Sequence, residues 1–385
     1  MEQKNNFLDQ VAAHLLATHR QRFRDLVVVV PGRRSGAHLK LKLARMADTP
    51  VWMPRIVSIG DLHTFLSGKK TAIRPHLLLG LYECHVNAHG QLADGFEAFL
   101  NYAPTVLADF SEADSYLVNT RKLYGDLRSI KEIEAWSLND PQLTPEQESY
   151  VRFWRRMGEL NDTFDQWQEQ TGNLTRGKLA KTTALQIETL VRRWHNQYFV
   201  YAGTHALHAA DQHILNFLVE RGMAEVLRDT DEYYLSIDQH EAAYHLRKEP
   251  DNGLWKGDYY REIPKTITIH RCGTGITTSA VAAQLLQTSD EGTRAVVLTG
   301  DPDFDVLRHA IPPDGPSLRY SGTTRLGETP VFTWLLLWCR LMQENPAGKL
   351  RIHHKTFIDW LSEETCTGIN RALSGEVSRY IIRQN

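Results

Sequence analysis

Pro31-Gly32-Arg33-Arg34-Ser35-Gly36 is the stretch of this chain most suited to hold an anion. It follows a β-branched run and opens a helix pattern. A strand, a glycine turn and a helix N-terminus together can bind phosphate through backbone N–H groups and the helix dipole. A Walker A loop is excluded, because G-x-x-x-x-G-K-S/T needs a lysine on the β and γ phosphates and a hydroxyl on Mg²⁺, and no such pair stands at the right offset. What remains is a generic anion or nucleic-acid backbone contact, set against the plainer reading of a solvated basic turn. Cys272-Gly273-Thr274-Gly275-Ile276-Thr277-Thr278-Ser279 carries G-x-G at a second strand-to-helix turn. It lacks the third glycine and the acidic ribose-binding residue of a dinucleotide site, so a capping turn is the favoured reading. Asp229-Thr230-Asp231-Glu232 closes a strand-like run, where open α/β sheets place metal and substrate ligands. Its plainer reading is a solvated acidic turn.

Other chemistries find no support. The 17 histidines include His205 and His208, and His353 and His354, but no H-E-x-x-H set, and they read as surface or packing residues. No G-x-S-x-G elbow is present. Cys84, Cys272, Cys339 and Cys366 are scattered without a C-x-x-C, which builds neither a zinc site nor a disulfide framework and fits a reducing compartment. No metal and no cofactor are expected. With 44 Lys and Arg against 46 Asp and Glu, any nucleic-acid partner must be held by a local patch. The opening residues lack a secretory pattern, and no apolar run approaches the ~18 residues of a membrane span. The cytoplasm is the expected location, with no membrane partner.

The elements that would position these residues alternate. Phe7, Leu8, Val11, Ala12, Leu15 and Leu16 recur at helical spacing behind Asn5 or Asn6 as a cap. Leu26 to Val30 reads as a strand buried on both faces, ended by Pro31-Gly32. Ser35 caps a helix carrying Leu39, Leu43 and Met46 inward, and residues 51–59 form a second strand running into a helix near Asp61. Residues 75–195 read as a helical insertion, with Thr144-Pro145-Glu146-Gln147 as a capping box before Val151, Trp154, Met157 and Leu160. Strands at 198–201 and 224–227 flank a helix at 209–221, so the sheet is completed across the insertion. Residues 253–264 are a turn-rich linker. A second α/β unit follows, with strands at 266–270, 294–299 and 318–320 and helices at 278–286, 303–310 and 331–342, and the chain turns helical again after Pro346.

The expected organisation is 1–74 plus 196–252 as a first α/β domain, 75–195 as its insertion, 253–264 as linker, 265–345 as the first part of a second domain, and 346–385 as the start of a second insertion. The order of pieces resembles the motor core of superfamily I DNA helicases, and in particular the inactivated, helicase-like proteins of the RecBCD/AddAB helicase-nuclease type. VVVVPGRRSGAHLKLKLARM and PRIVSIGDLHTFL look like the motifs after the Walker strand and helix. FVYAGTHALHAADQHILNFL looks like the Walker B strand and helix, and AEVLRDTDEYY like the strand end that follows. AVVLTGDPDFDVLRHAI and SLRYSGTTRLGETPVFTWLLLWCRLM resemble the fourth motif and the helices after it. The resemblance implies an α/β fold of RecA-like (P-loop NTPase-like) parallel-sheet domains with helical insertions.

It also implies departures. The phosphate loop should precede the opening helix, yet only six residues stand before Phe7. Ala202-Gly203 replaces the Walker B Asp-Glu pair, Glu232 a sensing glutamine, and Thr299 an arginine facing the γ-phosphate. Phosphoryl transfer depends on such positioning and charge, so ATP hydrolysis is not expected. Arg33 aligns with a family lysine and Ser58 with a threonine that approach the single-stranded backbone, with Arg34 as a neighbour. The resemblance thus implies a non-hydrolysing scaffold that guides single-stranded DNA beside an ATP-driven helicase-nuclease partner subunit. It further implies a longer parent chain with a C-terminal PD-(D/E)XK nuclease. Two rivals stand beside it. One is an active α/β enzyme on a nucleotide or phosphorylated substrate, with the Arg33 loop or the 273–279 turn as anion site and Asp229 or Asp231 as ligand. The other is a module that binds protein only.

Overall fold

The first helix, α1 (Phe7–His14), is set by its cap. The Asn6 side chain accepts the Asp9 N–H at 3.1 Å while the Asp9 carboxylate accepts the Asn6 N–H at 3.3 Å. Past His14 the helix widens into one π turn, Leu15–His19, and tightens into a 3-10 stretch, Arg20–Asp25. The structure is a computed structural model and describes residues 6–134, 145–248, 254–264, 266–288, 295–298, 302–312, 315, 326–343, 354–362, 374–380 and 382. The chain divides into two units, Met1–Lys265 and Thr266–Asn385.

In the first unit, β1 (Leu26–Val30) is buried along its whole length, as its unbroken apolar run requires of a central strand. Helix α2 (Arg33–Met46) starts two residues ahead of the expected Ser35 cap. Gly32 takes the N-cap place with extended backbone, because the chain has already turned at Pro31-Gly32. Leu39 and Leu43 point inward as expected, but Met46 in the last turn is exposed. Strand β2 (Arg55–Ser58) is shorter than the expected 51–59, since Pro54 has no N–H to give the ladder and Ile59 already belongs to α3 (Ile59–Ser67).

Among the described residues, helices then run without interruption by a strand. They are α4 (Arg74–His89), α5 (Phe96–Leu100), α6 (Ala103–Ser115), α7 (Thr120–Glu134), α8 (Pro145–Thr171), α9 (Arg176–Leu185) and α10 (Ile187–Leu190). Pro145 opens α8; Thr144 lies outside the described residues. The chain returns as β3 (Tyr198–Ala202), α11 (Ala209–Glu220), β4 (Ala224–Asp231), α12 (Glu232–Leu235), β5 (Leu254–Gly257) and α13 (Tyr259–Glu262). The 253–264 segment is therefore no plain linker: its backbone pairs with Arg228–Asp231 as a fifth strand. The sheet is all parallel in the order β2-β1-β3-β4-β5.

Alternation along the strands builds two cores. Val27, Val29, Phe199 and Tyr201 face α3, α9, α10 and α11 through Leu62, Leu66, Ala184, Ile187, Ile214 and Leu218. Leu26, Val28, Val30, Val200 and Leu227 face α1, the π turn that follows it and α2 through Val11, Leu15, Leu39 and Leu43. A third core, with Leu81, Phe99, Phe110, Leu160 and Phe164, holds the helical segment together. That segment is tied down where α6 meets α9. A Cβ on Gly177 would lie 1.7 Å from the Ser111 carbonyl oxygen, so only glycine lets the two backbones approach this closely. Beside this contact Lys181 donates to the buried Asp114 carboxylate at 2.7 Å.

The second unit is helical among its described residues: α14 (Gly275–Thr288) packs on α15 (Pro302–Ala310), and α16 (Pro330–Gln343) on α17 (His354–Ser362). The expected strand at 266–270 is not formed, nor is the one at 294–299 over its described residues 295–298. Residues 266–270 and 295–298 are irregular, with Ile269 89% and Val297 93% exposed. β-branched residues make a strand only when a neighbour takes their N–H groups and a face buries them, and among the described residues neither is supplied. The expected strand at 318–320 lies outside the described residues. Among the described residues no helix is long and apolar enough to cross a membrane.

Candidate functional site

From β1 the chain moves to β2 on one side and later returns to β3 on the other. Such a reversal leaves a crevice outside the carboxyl ends of β1 and β3, where open α/β sheets place ligands. On the other side of β1, the turn after β1 brings Arg33 and the end of β2 brings Ser58 to the neighbouring carboxyl ends of these two strands. Asp61, in the first turn of α3, joins them. Arg33 Nε donates to Asp61 Oδ2 at 2.9 Å and Nη2 to Oδ1 at 2.7 Å, a forked ion pair, while Ser58 Oγ donates to Oδ2 at 2.6 Å. These bonds, the one from Arg33 foremost, hold the Asp61 carboxyl down at about 2 against the cost of its burial, with Arg176 of α9 adding to the pull. In return Asp61 raises the Arg33 guanidinium above its ordinary value. The Arg33 side chain nevertheless stays 83% exposed, so the pair is open to an approaching anion. Arg34 is exposed at the next position of α2.

The positions compared with the Walker B pair hold no acid. Ala202 is buried in the sheet. Gly203 is left-handed with φ +69°, and the Phe7 ring lies so close that a Cβ there would sit 2.9 Å from Cε1. Behind this lies a polar cluster on α3 and α11. His63 Nε2 is 3.0 Å from Asp211 Oδ1, though misaligned for a hydrogen bond, and His208 Nδ1 is 3.5 Å from Oδ2. The buried hydroxyls of Tyr201 and Thr204 have no hydrogen-bond partner among the described residues. Burial, with Asp211 second, pushes the Tyr201 hydroxyl upward, so it stays protonated.

The acidic strand end behaves differently from a ligand set. Asp231 accepts the Tyr233 N–H and the Tyr260 N–H, each at 3.0 Å, and so caps two short helices. Burial, then Asp231, raises the Asp229 carboxyl. Both line a cleft of about 260 Å³ with Tyr234, Leu246 and Tyr259. Glu232 is exposed at the start of α12, and Thr299 lies outside the described residues. In the second unit Thr274 and Thr277 cap reciprocally: the Thr274 N–H reaches Thr277 Oγ1 at 3.0 Å and the Thr277 N–H reaches Thr274 Oγ1 at 3.3 Å. That is the capping turn favoured for the G-x-G segment.

Two groups escaped sequence reasoning. Asp61 was visible only as a helix start, because nothing local shows that β1 and β2 are neighbours. Among the described residues, the one His/Cys/Asp/Glu group compact enough for a metal is His14, His19 and Glu225, at the other end of the sheet.

Fold and site together define a doubly wound, parallel α/β protein with a large helical segment between β2 and β3, an arrangement that RecA-like domains share with other α/β proteins. No protein-family model matches the chain, and no curated protein is significantly similar to it.

Proposed function

We propose that this protein is a helicase-like scaffold, built on RecA-like domains as in superfamily I, that guides single-stranded DNA within a cytoplasmic recombination or repair assembly. It does so without hydrolysing ATP, and an ATP-driven helicase-nuclease subunit supplies the motion. The observation that carries this reading is the meeting of Arg33, Ser58 and Asp61 on adjacent strand ends. The neighbouring end of β3 adds support, offering Ala202-Gly203 under the Phe7 ring where the motor chemistry needs two carboxylates. The rival enzyme reading takes Asp229 or Asp231 as its ligand; the Asp231 carboxylate is already engaged by two backbone N–H groups, and burial favours the protonated form of Asp229.

In this reading Asp61 holds the Arg33 fork in place and neutralises part of its charge until a phosphate competes. Titration of a fluorescent single-stranded oligonucleotide across a salt series tests it. Arg33→Ala should weaken binding several-fold and flatten the slope of log K against log salt by about 0.7, the share of one backbone contact on a single strand. Asp61→Asn should tighten binding, because the guanidinium keeps its charge and loses its competitor. Binding indifferent to salt and to both substitutions would sink the proposal. So would ATP turnover that one substitution in this chain abolishes.

A further inference from the structure

His14 and His19 are five residues apart, which on a regular α-helix would set them about 140° apart around the axis. They are not set apart, because the π turn over Leu15–His19 takes up the extra residue and brings both to one face. Such single π turns inside helices are frequent at functional sites. Facing them is Glu225, the second residue of β4, paired in the sheet with Val200. His14 Nε2 lies 3.0 Å and His19 Nε2 2.8 Å from the same Glu225 Oε1. The three ligand atoms all lie within 4.8 Å of one another. We propose that His14, His19 and Glu225 form a binding site for a borderline transition-metal dication of the Zn²⁺ class, with two imidazole nitrogens and one carboxylate oxygen as ligands.

The donor set suits that class. Zn²⁺ takes neutral imidazole and carboxylate at about 2.0–2.2 Å, and tetrahedral bonds of that length set ligand atoms about 3.3 Å apart. The present separations from Oε1 are a few tenths of an ångström shorter, which a small side-chain rotation opens. Burial is graded. The His19 side chain is 6% exposed, while those of His14 and Glu225 are 28% and 26% exposed. A three-ligand site with one closed and two half-open sides leaves a position for water or an exogenous ligand. The surroundings fix the inner imidazole: the Tyr198 ring lies 5.4 Å from that of His19, and the Arg22 guanidinium is taken up over Tyr198 at 4.3 Å. The plainer alternative is a carboxylate oxygen shared by two imidazole N–H groups with no metal. The site lies at the amino end of β4, opposite the strand ends that hold Arg33, so it stands or falls independently of the DNA reading.

Equilibrium dialysis of the full chain against Zn²⁺, after chelator treatment and removal of any tag, tests the proposal, with Co²⁺ absorption reporting the ligand field. One equivalent should bind, with a Co²⁺ spectrum of low coordination number. His14→Ala and the nearly isosteric Glu225→Gln should each weaken binding by at least about 100-fold, more than the loss of an outer-shell partner costs. Circular dichroism identifies the variant that keeps the native fold. His38→Ala, an exposed histidine on α2, should leave binding unchanged. Absence of stoichiometric Zn²⁺ binding, or equal binding by the wild type and a folded His14→Ala or Glu225→Gln variant, overturns the site and leaves a hydrogen-bonded His-Glu-His cluster.

Discussion

Replacing Gly177 by alanine should cost about 3 kcal/mol of stability, the upper range for an overpacked contact. The added methyl would stand 1.7 Å from the Ser111 carbonyl oxygen and 2.5 Å from its carbonyl carbon. Both atoms belong to the α6 backbone, so no side chain can swing aside. The collision is relieved only if α6 and α9 part, and two other interactions resist that. The Gly177 N–H donates to Ser111 Oγ at 3.0 Å, and Ala180 and Ala184 on α9 are packed into the core beneath the sheet. Urea unfolding reads the loss as a lower midpoint. A midpoint unchanged from wild type would mean that the helices do not approach this closely. Arg176, one residue earlier, contributes to the charge around Asp61, so the same substitution should also weaken the oligonucleotide binding proposed above.

Lys181→Met should be equally costly at neutral pH, about 3 kcal/mol, because breaking a buried pair leaves the remaining charge without compensation. Asp114 is that charge. Burial raises its carboxyl, and the bond from Lys181 pulls it part of the way back. A carboxyl whose folded value lies above its unfolded one holds its proton more tightly in the folded state. Its contribution is therefore fully favourable below the unfolded value of about 4 and is lost as pH rises through the folded value. Without Lys181 the folded value climbs further, so the window of loss widens toward neutrality. The destabilisation should be large at pH 7 and should shrink toward pH 4. An equal loss at both pH values would show that Lys181 acts by packing alone. The two substitutions share one interface, so their effects should not add in the double variant.

What the residues declared in advance follows from how local each signal is. Leu26 to Val30 and Tyr198 to Ala202 are unbroken apolar runs bounded by turn residues, and both are central strands. The same logic failed at 266–270 and 295–298, where β-branched residues carry the propensity but no pairing neighbour is present among the described residues. It failed in the opposite sense at Leu254–Gly257, whose polar and aromatic composition hid a strand held by backbone pairing to β4. Arg33 could be named because it follows a recognisable strand, and Ser58 because the resemblance aligns it with a family threonine. Asp61, which joins them, could not be given its role, since a distance of 28 residues along the chain closes only when β1 and β2 lie side by side. His14 and His19 were hidden by the assumption of regular helical periodicity, which the π turn breaks.

The long detour between β1 and β3 bears on the order of folding. β1 ends at Val30, and the strand that completes its second edge begins only at Tyr198. Closing so distant a pair pays loop entropy before any ladder bond rewards it, and contacts of large sequence separation slow folding. The intervening helices have their own apolar core, from Leu77 to Phe164, and can consolidate from nearer contacts. Helix should therefore form ahead of the central sheet, and stopped-flow circular dichroism would resolve the two phases. In the interval Leu26 to Val30, five apolar residues on an unpaired edge, are exposed to other chains. The architecture that gathers Arg33 and Asp61 at neighbouring strand ends thus carries a kinetic liability, concentrated in the strand that leads to them.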